Sequence, residues 1–315
     1  MISIITACYG RLELTQAYLN SLQAHPPDEP WQVVWVDDGS TDGTREWLSK
    51  LDRRKHTVFF NEQNLGFARN NNLAARAARG DTLVLLNNDV ELTSGWFYPL
   101  AESLGKIPNV GVVGNVQLIP ASGLIDHAGT FFDLVGRPGH ILKGRPRSAL
   151  KPPGMFCAAA TAACWMIKKD TFLGVGGFDE SYVNGSEDFD LCLRLGKGGF
   201  RHWVDHRSVI WHHVSSSPGR RDRNAYNESL FLRRWAAHTS VLGRRDWPRQ
   251  YLARVRRNPK QLNAKKTIDA VLRFAGLRKG DSDWAASVRA RLMESTEGCA
   301  LTTTVPGGKE RSAPR

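Results

Sequence analysis

Residues 1–115 alternate short apolar runs with amphipathic stretches, and no other feature of the sequence limits the fold so tightly. Runs at 2–7, 31–36, 57–61 and 82–86 have the β-branched and aromatic content of strands. The stretches 12–23, 41–51 and 67–78 have helical spacing; the first places Leu12, Leu14, Ala17, Leu19 and Leu22 along its length. The stretch 41–51 opens on a Ser/Thr/Asp cluster suited to capping. The run 82–86 is almost wholly apolar, as in a parallel strand covered on both faces. Strict alternation of this kind predicts an α/β fold, a parallel sheet with helices on both sides. Ligands of such sheets bind beyond the carboxyl ends of the strands. Two polar clusters fall at that edge: Asp37-Asp38-Gly39-Ser40 after the second strand and Asn87-Asn88-Asp89 after the fourth.

Beyond residue 115 the pattern loosens. Strands are expected at 110–118, 156–167, 200–204 and 208–211, and helices at 170–174 and 188–195. The Gly-, Pro- and Arg-rich stretch 123–153 reads as a hairpin followed by a loop over the site, with Arg137, Lys143, Arg145, Arg147 and Lys151 on it. From Asp222 the chain turns helical, with Tyr226, Leu230, Phe231 and Trp235 as one apolar stripe, and breaks are expected at Pro248, Pro259 and Gly276. With 315 residues, 41% of them hydrophobic, the chain buries a sizeable core, which excludes disorder, collagen and coiled coil. Five scattered cysteines without a Cys-x-x-Cys pair speak against a disulfide framework and a structural zinc site. No apolar run reaches the ~18–20 residues of a membrane span, and the first residues lack the make-up of a signal peptide. A cytoplasmic protein is expected.

Lys and Arg number 43 against 31 Asp and Glu, a net charge of +12 that points at first to a polyanion-binding protein. Its distribution narrows this. Residues 1–217 hold 21 basic and 22 acidic side chains, whereas residues 218–315 hold 22 and 9. All the excess lies in the last third. No helix-turn-helix, zinc-finger or RRM signature accompanies it, so no nucleic-acid partner is expected.

Several clusters offer chemistry, each beside a purely structural reading. Asp37 and Asp38 suit hydrogen bonds from a base or a sugar hydroxyl, or equally an Asx turn with Asp42 capping the next helix. The segment 64–70, Asn-Leu-Gly-Phe-Ala-Arg-Asn, opens a helix whose N-terminus favours anions, with Arg69 one turn in. Asp89 is placed to hold a hard divalent cation through oxygen, or to cap a helix from Ser94. Glu187, Asp188 and Asp190 crowd three carboxylates together; repulsion raises at least one pKa, as a general base requires. The same residues favour a helix N-terminus, and Asp190 suits an i,i+4 pair with Arg194. Of His212 and His213, adjacent on a strand, only one can face a site.

In their order along the chain these clusters form one pattern. An Asp pair, Asn-x-Gly-x-Ala-Arg, Asn-x-Asp, GGFDE, EDFDLCLR and a histidine together resemble the family 2 glycosyltransferases of the GT-A fold. The stretches IITACYGR, VVWVDDGSTDGT, NEQNLGFARNNN, LVLLNNDVEL, CAAATAACWMIKKDTF, GVGGFDESY, EDFDLCLRL and VIWHHVSSS carry the likeness over about residues 1–235. It is nearest to members that build bacterial cell-surface polysaccharides, rhamnosyltransferases among them. The resemblance implies a Rossmann-like mixed sheet flanked by helices, with a catalytic domain at 1–217. Residues 1–115 would form its nucleotide-sugar half and 116–217 its acceptor half, followed by a basic helical extension at 218–300 and a flexible tail at 301–315.

It also implies roles. Thr6, Asp37, Asp38, Asn64, Gly66, Arg69, Asn87 and Asn88 would contact the nucleotide. Asp89 and His212 would hold Mg2+ or Mn2+. Asp188, with Glu187 beside it, would be the catalytic base. Asn87 stands where the family carries the first carboxylate of its metal motif, which removes one charge. The implied reaction is an inverting displacement from a UDP or dTDP sugar to a hydroxyl of a glycan or lipid-linked acceptor. A nucleotide-sugar-binding protein with little transfer activity is the alternative that Asn87 raises. A nucleotidyltransferase would instead carry a Gly- and Arg/Lys-rich loop after the first strand, which residues 6–11 do not supply. The basic stretch 244–291 is expected to form short helices that dock on an anionic membrane surface or a lipid-diphosphate-linked acceptor, which would place the protein at the inner face of the membrane, or equally to form a solvated helical face or an oligomer contact.

Overall fold

The structure is a computed structural model that describes residues 1–214 and 224–294. The first half follows the expected alternation: β1 (Ile2–Cys8), α1 (Leu12–Ala24), β2 (Trp31–Asp37), α2 (Thr44–Ser49), β3 (His56–Phe60), α3 (Phe67–Ala77), β4 (Thr82–Leu86), β5 (Val90–Leu92) and α4 (Phe97–Lys106). There follow β6 (Val110–Leu118), β7 (Ile125–His127), β8 (Thr130–Phe132), β9 (Pro138–His140), β10 (Gly154–Cys157), β11 (Cys164–Lys168), α5 (Lys169–Gly174), α6 (Glu187–Lys197) and β12 (Arg201–His212). Three helices close the described chain: α7 (Asn224–Arg257), α8 (Ala264–Phe274) and α9 (Asp283–Glu294).

The main sheet runs β10-β12-β6-β11-β4-β1-β2-β3. Strands β4, β1, β2 and β3 are parallel, as the alternation predicts, but β11 enters antiparallel between β4 and β6. The sheet is therefore mixed. Its chain order reverses at β1, which pairs with both β2 and β4. That reversal opens a crevice at the carboxyl edge of β1, where ligands of such sheets bind.

Three sequence expectations change. The strand at 156–167 is two strands, β10 on β12 and β11 on β4, joined by the small residues Ala158–Ala163. Small side chains are needed there, because a Cβ on Gly114 of β6 would lie 2.9 Å from that of Ala160. The strands at 200–204 and 208–211 are one, β12, with a register shift between Asp205 and Val209. Asp205 at the shift is buried and paired with Arg207 at 2.7 Å. Helix α7 continues through Pro248 without a break. Trp247 and Tyr251 flank the proline, stack at 5.0 Å and pack with Leu134, Val135, Ala270 and Ala285. Tertiary packing thus overrides the lost backbone hydrogen bond. The 123–153 stretch does contain a hairpin, β8 with β9, and its Lys143 is held by Asp126 at 2.5 Å.

Cores form on both faces of the sheet. One joins Val34, Leu85, Trp165, Phe178 and Leu191, and takes in Phe231 and Trp235 of α7. The other joins Ile4, Tyr18, Trp35, Val84, Trp96 and Met166. Residue 222, expected in the last helical region, and the tail at 301–315 lie outside the described residues, as do residues 215–217 of the VIWHHVSSS stretch.

Candidate functional site

A cleft of about 830 Å3, counting its open mouth, lies at the carboxyl edge of β1, β2 and β4. Among the anticipated residues Asp38, Asn64, Asn87, Asn88, Asp89, Glu187 and Asp188 line it. Tyr9, Asn70, Thr161 and Ala162, which lie within the family-like stretches without an expected role, line it too, as does Asn184, which lies in none of those stretches. The other anticipated residues lie behind or beside it.

The Asp pair builds the cleft wall. Asp38 accepts from the Leu65 N–H at 2.7 Å, the Gly66 N–H at 3.0 Å and the Asn61 amide at 3.0 Å. Its carboxylate thereby fixes the turn into α3, where Gly66 takes φ 89°, a conformation that glycine adopts without strain. Asp37 is fully buried; burial raises its pKa, and the hydrogen bond from Ser40 offsets part of the rise. Its second oxygen, Oδ2, has no hydrogen-bond partner. Asp42 accepts from the Leu12 and Thr44 N–H groups and so serves the starts of both α1 and α2.

Three anticipated nucleotide contacts are committed elsewhere. Thr6 is buried, its hydroxyl 3.0 Å from the Tyr18 hydroxyl. Arg69 is half-exposed, pairs with Glu180 at 3.2 Å and is not among the residues lining the cleft. The first N–H of α3, from Phe67, donates to Asn184 Oδ1 at 3.0 Å, so a protein side chain already satisfies that helix end.

Asn88 is anchored to the Thr15 hydroxyl at 2.9 Å, which presents Asp89 beside it at the cleft floor. Strand β12 brings His212 against Asp89: Nε2 and Oδ1 lie 3.4 Å apart, and both residues are buried. His212 Nδ1 meets Gln117 Oε1 at 3.0 Å. With Gln117 accepting from Nδ1–H, a neutral His212 turns its Nε2 lone pair on the Asp89 carboxylate. Two lone pairs so placed repel unless a cation or a proton lies between them. A carboxylate oxygen and an imidazole nitrogen oriented by a further hydrogen bond are a donor set that divalent metals accept, so the residues fit the expected metal. His213 points to Glu91 at 2.6 Å, so the strand separates the two histidines as its geometry requires.

Asp188 and Glu187 stand in the first turn of α6. Burial raises the Asp188 pKa, partly offset by N–H bonds from Ala162 at 3.2 Å and Phe189 at 2.8 Å and by the Thr161 hydroxyl. Glu187 accepts from the Gly185 N–H at 2.6 Å. The third carboxylate, Asp190, is structural: Arg194 Nε donates to it at 2.7 Å and the Trp235 indole at 2.8 Å. The arrangement combines a desolvated carboxylate able to take a proton, an acid–imidazole pair able to hold a cation, and a polar wall suited to a nucleotide.

Known proteins are consistent with this geometry. A family model for "Glycosyl transferase family 2" matches residues 3–172, more than half of the chain. An O-antigen biosynthesis protein of Myxococcus xanthus is 28% identical over 77% of the chain, and an uncharacterized protein of Sinorhizobium fredii is 29% identical over 76%. The chain spans only 19% and 28% of the lengths of these two proteins. An N-acetylglucosaminyl-diphospho-decaprenol L-rhamnosyltransferase of Mycobacterium tuberculosis is 25% identical over 70% of the chain and 78% of its own length. In fold, the chain matches a Pyrobaculum calidifontis mannosyltransferase solved with GDP-Man and Mn2+ at a TM-score of 0.55 over 96% of this chain and 81% of that one, at 18% identity. It matches GalNAc-T7, solved with UDP, GalNAc and Mn2+, at 0.57 over 67% and 43%, at 20% identity. A reversal-point cleft lined by Asp38, Asp89 and Asp188 and the family match together identify the chain as a family 2 glycosyltransferase of the GT-A fold.

Proposed function

We propose that the protein transfers a sugar from a UDP or dTDP sugar to a hydroxyl of a glycan or lipid-linked acceptor, with inversion, in the synthesis of a surface polysaccharide. The observation that carries this reading is Asp188, a buried carboxylate of raised pKa in the wall of the cleft that also holds Asp89. Asp188 takes the proton of the acceptor hydroxyl. The freed oxygen pair bonds to the anomeric carbon as the bond from that carbon to the diphosphate oxygen breaks, and the diphosphate departs with the electron pair. The N–H groups of Ala162 and Phe189 hold the Asp188 carboxylate in place before the reaction, so little reorganisation is needed during it.

Asp89 and His212 would hold Mg2+ or Mn2+, which when bound neutralises charge on the leaving diphosphate. The wall that Asp38 fixes, with Asn64, Asn87 and Asn88, receives the nucleotide. Relatives named for O-antigen biosynthesis and for rhamnosyl transfer to a diphospho-decaprenol support the acceptor class and the surface role. No helix among the described residues is long and apolar enough to cross a membrane. The protein works at the inner, cytoplasmic face of the membrane, which its basic C-terminal third contacts through charge. A panel of nucleotide sugars, read by thermal shift with and without Mn2+ and then by transfer to candidate acceptors, tests the proposal. A UDP or dTDP sugar that stabilises the protein only with Mn2+ and is then transferred meets it. Stabilisation with no transfer to any acceptor, and no donor hydrolysis, would mark a binding protein instead.

A further inference from the structure

Helix α8 is built inside out. Its one ion pair faces inward: Asp269 and Arg273 lie 2.9 Å apart with both side chains 1% exposed. Ser282, Trp284 and Arg278 complete the network around Asp269. Its apolar residues face outward: Ile268 is 59% exposed, Val271 50% and Phe274 64%, with Leu262 at 56% and Leu277 at 76% just beyond its ends. Of thirteen large apolar side chains left exposed among the described residues, five fall within these sixteen positions. A helix on a water-facing surface has the opposite arrangement. Ala270, on the inner side, packs with Trp247 and Tyr251 of α7, so the orientation is fixed by a core and not by chance.

Charge narrows what covers this face. From Trp247 to Ile268 the chain has no acidic residue, and Asp269, the one carboxylate before Asp281, is buried. Lys260 and Lys265 are exposed before and on the helix, and Arg278 and Lys279 follow it. Exposed Arg254, Arg256 and Arg257 end α7 just upstream. Over residues 247–280 the apolar side chains sit among cations with no exposed carboxylate, and Asp281 just beyond is paired with Arg244; such a face suits a surface that is negative at its boundary and apolar beneath. A second copy of this face brings only like charges.

We infer that α8 is a membrane-insertion helix that beds Ile268, Val271, Phe274 and Leu277 into an anionic lipid bilayer. This deepens the charge-based membrane contact proposed above and rests on it for the sign of the lipid. It adds that apolar side chains, and not charge alone, hold the protein there.

Co-sedimentation of the full chain with vesicles of neutral phosphatidylcholine, or of phosphatidylcholine with phosphatidylglycerol, tests it, beside the triple variant Ile268→Ser, Val271→Ser, Phe274→Ser. The full chain is expected to bind the anionic vesicles and to keep much of that binding at 0.5 M salt, where purely electrostatic adsorption fades. The variant, altered only at exposed positions, is expected to melt like the parent and to bind at least about tenfold more weakly. Equal binding by parent and variant, or complete loss of parent binding in salt, overturns insertion and leaves the charge-based contact standing. No binding by either overturns both. A parent that is dimeric and a variant that is monomeric, with neither on vesicles, assigns the face to a second copy and likewise overturns the inference.

Discussion

The cleft and the outer face of α8 dispose of polar and apolar groups in opposite ways. Around the cleft, Asp37, Asp38, Asn88, Asp89 and His212 are all buried, and backbone N–H groups, amides and hydroxyls satisfy most of them. On α8 one ion pair is buried as well, but the apolar side chains lie in the open. Burying charge at the cleft orients groups for chemistry, because each carboxylate is held and partly desolvated before a ligand arrives. Burying charge in α8 has no ligand to orient. It clears the outward face of carboxylates, and what remains there is a contact surface. Buried ions therefore mark a reacting site only where they border a cavity.

The strongest way to break this comparison is at Asp188. Asp188→Asn is expected to lower transfer by about 10²–10⁴-fold while leaving donor affinity intact, measured by initial rates and by donor titration. Full activity would remove the base role. The parent's kcat is expected to rise with pH through a pKa above the ordinary carboxylate range, because burial holds the proton on Asp188. The sign for stability is the reverse. A carboxyl that binds its proton more tightly when folded costs stability progressively as pH rises from the ordinary carboxylate value to the raised one, and the full cost stands above it, so neutralising Asp188 does not weaken the fold at neutral pH.

Trp235 tests whether the C-terminal helix belongs to the catalytic body. Trp235→Ala removes a core side chain and the indole donor to Asp190, and is expected to cost about 3–5 kcal/mol in denaturant unfolding. Gln117→Leu removes the hydrogen bond that orients His212, and is expected to weaken Mn2+ dependence about 10–100-fold, read as the metal concentration giving half-maximal activity. The smallest effect falls at Thr6. Thr6→Val breaks the Thr6–Tyr18 hydroxyl pair and is expected to cost about 1 kcal/mol without changing KM for the donor. A raised KM would return Thr6 to the nucleotide site.

Much of the fold was legible because it is local. Periodicity located β1 to β4 and the helices between them, the carboxyl-edge rule collected Asp38, Asn88 and Asp89, and the crowding of Glu187, Asp188 and Asp190 with the family resemblance singled out Asp188. What escaped depends on distant partners. Gln117 reaches His212 across 95 positions and Asn184 reaches Phe67 across 117, and nothing local sets either amide apart from the others in the chain. Arg69, expected near the nucleotide, pairs with Glu180 far along the chain, a partner that its own segment does not reveal. The exposed face of α8 escaped for the same reason: Ile268, Val271 and Phe274 lie outward because Ala270 packs against α7 and the Asp269–Arg273 pair closes on Ser282.

The indole of Trp235 holds Asp190, two residues from Asp188, and α7 continues from Trp235 for 22 residues to Arg257, beside α8. At about 1.5 Å per residue that span is at most about 33 Å. With Asp188 as the proposed base and α8 bedded in lipid as inferred, one continuous helix would join the two, and the molecule would act as a gauge. An acceptor anchored in the bilayer would then be reached only at the height that helix sets, and chain length between lipid and sugar would become a criterion of selection.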